Sequence, residues 1–130
     1  MVIDTLLLDK LTAQAKESPR LRMNLDLRNS DADSSQRMLN AIEPGSVVPI
    51  HRHQKTSETM VVLRGCVVEE YYSSEGALEA SYELAAGGPI CALNIPPGQW
   101  HTLRALESGT VILEMKDGAY EPIQECDVMK

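Results

Sequence analysis

The sequence predicts an all-β domain, an antiparallel sandwich or barrel, preceded by a single α-helix. Three observations lead there. Apolar residues recur at helical spacing only near the N-terminus. The period changes to strict alternation after Pro19. The remainder divides into short strand candidates separated by turn residues. A chain of 130 residues suits one domain and is long enough to bury a core without disulfides or a zinc staple.

The helix is expected over residues 4 to 18. Asp4 or Thr5 can cap its start, and Leu7, Leu8, Leu11 and Ala15 make one apolar stripe. Ser18-Pro19 ends it, because the residue before proline is pushed out of the α region. From Arg20 to Arg28 polar and apolar residues alternate, so Arg20, Arg22, Asn24, Asp26 and Arg28 share one face of a strand. Further strands are expected at 36–43, 47–53, 58–64, 66–72, 78–84, 91–95, 101–106 and 110–116. Turn residues such as Pro44-Gly45, Gly87-Gly88-Pro89, Pro96-Pro97-Gly98 and Asp117-Gly118 punctuate them.

Composition excludes several roles. The formal net charge is −7 and no Lys/Arg cluster breaks it, so nucleic acid and anionic membrane are poor partners. No stretch approaches the roughly 20 apolar residues of a membrane span. Cys66, Cys91 and Cys126 are odd in number and lack C-x-x-C spacing, which favours a reducing cytoplasm and small buried thiols over a disulfide framework. Leu6-Leu7-Leu8 is too short for a signal-peptide core, which again suggests a cytoplasmic location.

The histidines carry the chemistry. The chain has three, in two motifs: Gly45-x5-His51-x-His53-x4-Glu58-x6-Gly65 and Pro96-x-Gly98-x-x-His101. Residues at i and i+2 of a strand face one side, so His51 and His53 present both imidazoles together. Glu58 starts the next strand and can return to face them. The Pro-Gly turn launches His101 inward. Three neutral imidazoles and a carboxylate suit Fe, Mn, Ni, Cu or Zn rather than calcium or magnesium, and leave open positions for water or substrate.

These motifs resemble those of the cupin superfamily. The first matches at every fixed position. In the second, the leading glycine lies two residues further upstream at Gly88, and Ala105 stands where asparagine is usual; neither change removes a ligand. The resemblance extends to the WbuC-type cupin metalloproteins through Ser18-Pro19-Arg20-x-Arg22-x-Asn24, Gln36 to Ser46, His51-Arg52-His53, Trp100 to Leu103 and Glu114 to Tyr120. Asp26 stands where asparagine is expected. The resemblance implies a double-stranded β-helix, the jelly-roll barrel, over residues 19–130, with helix 1–18 packed on it as one domain. It implies one divalent transition metal per chain on His51, His53, Glu58 and His101, a small-molecule ligand and a homodimer.

Arg22, Asn24, Arg37, Glu114 and Tyr120 are expected to bind substrate, Arg22 and Asn24 from a strand across the barrel mouth. Arg37 and Asn40 lie on opposite faces of their strand by alternation, so at most one points inward. Met60, Val62 and Leu103 share inward parity and are expected in the core, and Trp100 packs on the far face from His101. The expected function is a metal-dependent enzyme acting on a small polar metabolite, such as a sugar or sugar-nucleotide derivative of surface-polysaccharide metabolism. Isomerase, epimerase and oxygenase chemistry all fit. The alternative is a non-enzymatic module that binds or senses a carbohydrate or anion. No catalytic residue is assigned.

Overall fold

The computed structural model describes all residues, 1–130. Helix α1 (Thr5–Glu17) is followed by β1 (Arg22–Asp26), β2 (Ser35–Ile42), β3 (Glu58–Arg64), β4 (Cys66–Tyr72), β5 (Leu78–Ala85), β6 (Ala92–Ile95), β7 (Trp100–Ala105) and β8 (Thr110–Asp117), with a 3₁₀ turn at Glu125–Asp127. All pairing is antiparallel. One sheet has the order β1-β2-β8-β3-β6 and the other β5-β4-β7. This is the expected jelly roll with one N-terminal helix. It is built as two facing sheets rather than as a barrel closed by continuous ladders, with isolated bridges tying His51 to His101 of β7 and to Val128.

Asp4 is the N-cap of α1: its Oδ1 accepts the Leu7 amide at 3.0 Å. Leu8, Leu11 and Ala15 are buried with Leu39, Ala41 and Val111 on the outer face of the larger sheet, where Met23 and Leu25 of β1 join them. The inner face holds a second core between the sheets, with Ile42, Met60, Val62 and Ile112 from one and Val67, Leu84, Leu103 and Ala105 from the other. The expected core positions Met60, Val62 and Leu103 are therefore packed. Alternation along β2 and β8 then turns Asn40, Glu114 and Lys116 to the inner face with Ile42 and Ile112.

Gly65 closes the β3–β4 hairpin at φ +85°, and a Cβ there would lie 2.8 Å from Thr110 Cα, so only glycine fits. β1 is shorter than the alternation suggested. Leu21 has φ 56°, which breaks the strand before Arg22 and leaves Arg20 outside it.

The expected strand 47–53 is not one. The segment is extended, but its only strand-type partners are the bridges His51–His101 and His51–Val128. Pro49 offers no N–H, and Val47 is 81% exposed, so no ladder can run through it. Cys66 is buried as expected, whereas Cys91 and Cys126 are exposed and all three thiols are free.

Candidate metal centre

His51 and His101 exchange backbone hydrogen bonds, 3.0 Å from His51 N to His101 O and 2.8 Å in return, which brings the two motifs together across the sheets. The Gly98 amide donates to His53 O at 2.8 Å, so the Pro-Gly turn also holds the second histidine. One ring nitrogen from each of His51, His53 and His101 lies within 4.8 Å of the others. Ring centroids are 5.1 Å (His51–His53), 4.4 Å (His51–His101) and 5.9 Å (His53–His101) apart.

Two of the rings have a determined tautomer. His51 Nδ1 is 2.8 Å from Pro49 O, and His101 Nδ1 is 2.8 Å from Gln99 O. A carbonyl only accepts, so each Nδ1 carries a proton, and in the neutral ring the Nε2 lone pair is the one left free. Burial lowers the pKa of His51. Burial, with the charge of Lys116, lowers that of His53 to about 4, so both are neutral donors near pH 7.

Glu58 stands beside the histidines rather than within their tight group. Its Oε2 is 3.3 Å from His101 Nε2 and its Oε1 is 3.9 Å from Lys116 Nζ. Burial works to raise the Glu58 pKa, but His101 and Lys116 hold the carboxyl below its ordinary value. His101 Nε2 is buried and has no aligned hydrogen-bond partner. Two lone-pair acceptors thus converge at 3.3 Å, which is tenable only with a proton or a cation between them. The donor set, three imidazoles and a carboxylate with two of the three Nδ1 atoms anchored to carbonyls, fits a transition metal.

A cleft of about 980 Å³ opens over this group. Arg22, Asn24, Glu114 and Tyr120 line it, as do Asn40 and Lys116. Arg22 Nη1 donates to Val47 O at 2.9 Å. Burial and the nearby Arg20 lower its pKa, against the opposing charge of Glu114. Glu114 is raised to about 7 by burial and by Glu58. Tyr120 is 56% exposed at the rim, with the Arg28 guanidinium 5.4 Å from its ring centre.

Arg37 is not in this cleft. It shares the parity of Leu39 and Ala41, lines an adjoining smaller cavity, and pairs with Asp33 at 3.2 Å. Of the two β2 candidates it is Asn40, 8% exposed, that points inward.

Sequence reading missed several neighbours of the histidines. Arg52 stacks 4.6 Å from the Trp100 ring centre and pairs with Asp127 at 2.9 Å, while Ala119 to Gln124 of the C-terminal tail line the cleft mouth. The tail has no periodicity from which its docking could be read. Glu69 on β4 is fully buried, and neither carboxylate oxygen has a partner. Alternation with Val67 was its only signal.

Residues 3–84, more than half the chain and including His51, His53 and Glu58, match the family model described as "Domain of unknown function (DUF6016)". The chain belongs to the DUF6016 family. No curated protein sequence matches this DUF6016 chain. Among solved structures it is similar to the capsular polysaccharide assembling protein CapF from Staphylococcus aureus, at 17% identity and TM-score 0.62, over 82% of this chain and 34% of that one. It is also similar to a recombinant oxalate oxidase in complex with glycolate, at 17% identity and TM-score 0.65, over 82% of this chain and 56% of that one. A cupin 2 domain-containing protein from Halorhodospira halophila matches at 18% identity and TM-score 0.62, over 79% of this chain and 68% of that one. The DUF6016 chain thus has the cupin fold, and it spans only part of the length of CapF and of the oxalate oxidase. No helix is long and apolar enough to cross a membrane.

Proposed function

We propose that this chain is a metal-binding cupin of the WbuC type, with one divalent transition metal held by His51, His53, Glu58 and His101, acting as an enzyme on a small anionic or sugar-like metabolite. The observation that carries the metal reading is the convergence of one ring nitrogen from each of His51, His53 and His101 within 4.8 Å, with Glu58 Oε2 3.3 Å from His101 Nε2. When bound, the metal would supply Lewis acidity to an oxygen ligand.

The chain's own side chains do the rest. Arg22 offers a charged planar fork to a carboxylate or phosphate, which lysine would not match. Asn24, Asn40 and Tyr120 offer hydrogen bonds to hydroxyls. Glu114, raised to about 7 and lining the cleft, is suited to exchange a proton with a ligand near neutral pH. The glycolate bound to the oxalate oxidase and the capsular role of CapF are properties of those proteins; they support a small oxygen-rich ligand here by analogy.

The test is elemental analysis of the purified protein, followed by a screen of hydroxy acids and sugar phosphates for binding and turnover. About one metal per chain, with ligand distances of about 2.0–2.2 Å for a zinc-like ion, is expected. A chain that holds no metal after reconstitution would sink the reading. Metal with binding but no turnover would leave the binding or sensing module as the function.

A further inference from the structure

His51 and His53 lie in a segment without a ladder, so something other than a sheet must fix their spacing. One carboxylate meets both flanking side chains. Asp127 Oδ1 accepts from Arg52 Nε at 2.9 Å and from Gln54 Nε2 at 2.6 Å. The backbone adds two links, Arg52 N–H to Asp127 O at 3.0 Å and Met129 N–H to Ile50 O at 2.8 Å, which together form the His51–Val128 bridge. Arg52, held this way, lies over Trp100, whose neighbour is His101. The chain of contacts therefore runs from Asp127 through Arg52 to both histidine motifs. Asp127 is only 9% exposed although it sits near the end of the chain.

We infer that Asp127 is a positioning residue for the metal centre, setting the His51–His53 pair through Arg52 and Gln54 so that the C-terminal tail completes the site. The inference rests on the metal reading above. Outer groups that orient metal ligands typically carry 10–100-fold in affinity. Arg52 stands between two imidazoles on the chain, so releasing its guanidinium frees the backbone that aims both. A purely structural strap would instead lower the melting temperature and leave the affinity of the folded protein unchanged.

The experiment uses the full chain. Zinc affinity is measured by competition with a chromophoric chelator for the wild type, Asp127→Ala and Asp127→Asn. Asp127→Ala should lose about 10–100-fold. Asp127→Asn should stay within severalfold of wild type, because an amide oxygen still accepts from Arg52 and Gln54. An unchanged affinity in Asp127→Ala overturns the inference. If that variant does not fold, Gln54→Ala removes one of the two side-chain bonds alone and should still weaken zinc severalfold, and no change there overturns it. If the wild type itself binds no zinc, the metal reading fails separately. The positioning is then read in the metal-free protein from the ring-nitrogen resonances of His51 and His53. These should shift in Asp127→Ala and return toward wild type in Asp127→Asn, and spectra identical in all three overturn the inference.

Discussion

His101 Nε2 and Glu58 Oε2 face each other at 3.3 Å, both in buried residues, and the histidine nitrogen has no aligned hydrogen-bond partner. With the imidazole neutral each is an acceptor, so the pair is favourable only when a proton or a cation lies between. Removing either partner removes that cation's anchor. His101→Ala and Glu58→Gln should each lower zinc affinity at least tenfold, a loss no smaller than that of an outer-shell group. Equilibrium dialysis checks this, and wild-type affinity in both variants would mean that the ligands lie elsewhere.

Arg22 lines the same cleft and is held by Val47 O. One charge-assisted bond is worth about 1.5–3 kcal/mol, or about 10–100-fold in a dissociation constant. In cobalt-substituted protein, titration with glycolate should perturb the visible spectrum, and Arg22→Ala should weaken that binding by this factor. Arg22→Lys should recover little of it, since a point charge does not reproduce the fork. Equal binding by all three proteins would leave Arg22 as a brace for the segment at Val47.

Glu69 gives a stability prediction. Burial, followed by the charges of Glu58, Glu114 and Glu70, raises its carboxyl to about 9 from an ordinary 4.5. The folded state therefore binds a proton that the unfolded state has released between those values, and stability falls as pH rises through that window. Above about 9 the folded protein also releases the proton, and this contribution levels off. Chemical denaturation of the metal-free protein from pH 5 to 9 should show the decline, and Glu69→Gln should flatten it. Glu69→Leu should be more stable than wild type at pH 8 by about 1–3 kcal/mol, because an unpaired buried polar group is replaced by an apolar one of similar size. A decline between pH 7 and 9 that persists unchanged in Glu69→Gln would assign it to other groups.

Gly65 sits where β3 turns into β4, and any Cβ there meets Thr110. Gly65→Ala should cost about 1–3 kcal/mol from the left-handed backbone and the clash together. Metal stoichiometry in the folded fraction should be unchanged, since Gly65 belongs neither to the histidine group nor to the cleft over it. Thermal unfolding beside elemental analysis separates the two effects, and an unshifted melting temperature would contradict the geometry.

The grouping of the three histidines and the order of most strands along the chain were legible because they rest on local rules. Parity aligns side chains on a strand, proline and glycine mark turns, and His-x-His spacing needs no knowledge of distant residues. The same rules failed at 47–53, where Pro49 denies the ladder that the pattern invited. Parity also separates Arg37 from Asn40 without saying which of them is inside. That choice was made by α1, which covers Leu39 and Ala41 and so turns Asn40, Glu114 and Lys116 toward the cleft. The docking of Asp127 on Arg52 and Gln54 lies 75 and 73 residues away along the chain, in a tail with no periodicity. The sequence by itself determined that three histidines in two motifs would stand together on a β-rich fold. Only the tertiary structure decided which face of each strand looks inward and what holds His51 and His53 in place, because both depend on packing between segments far apart in the chain.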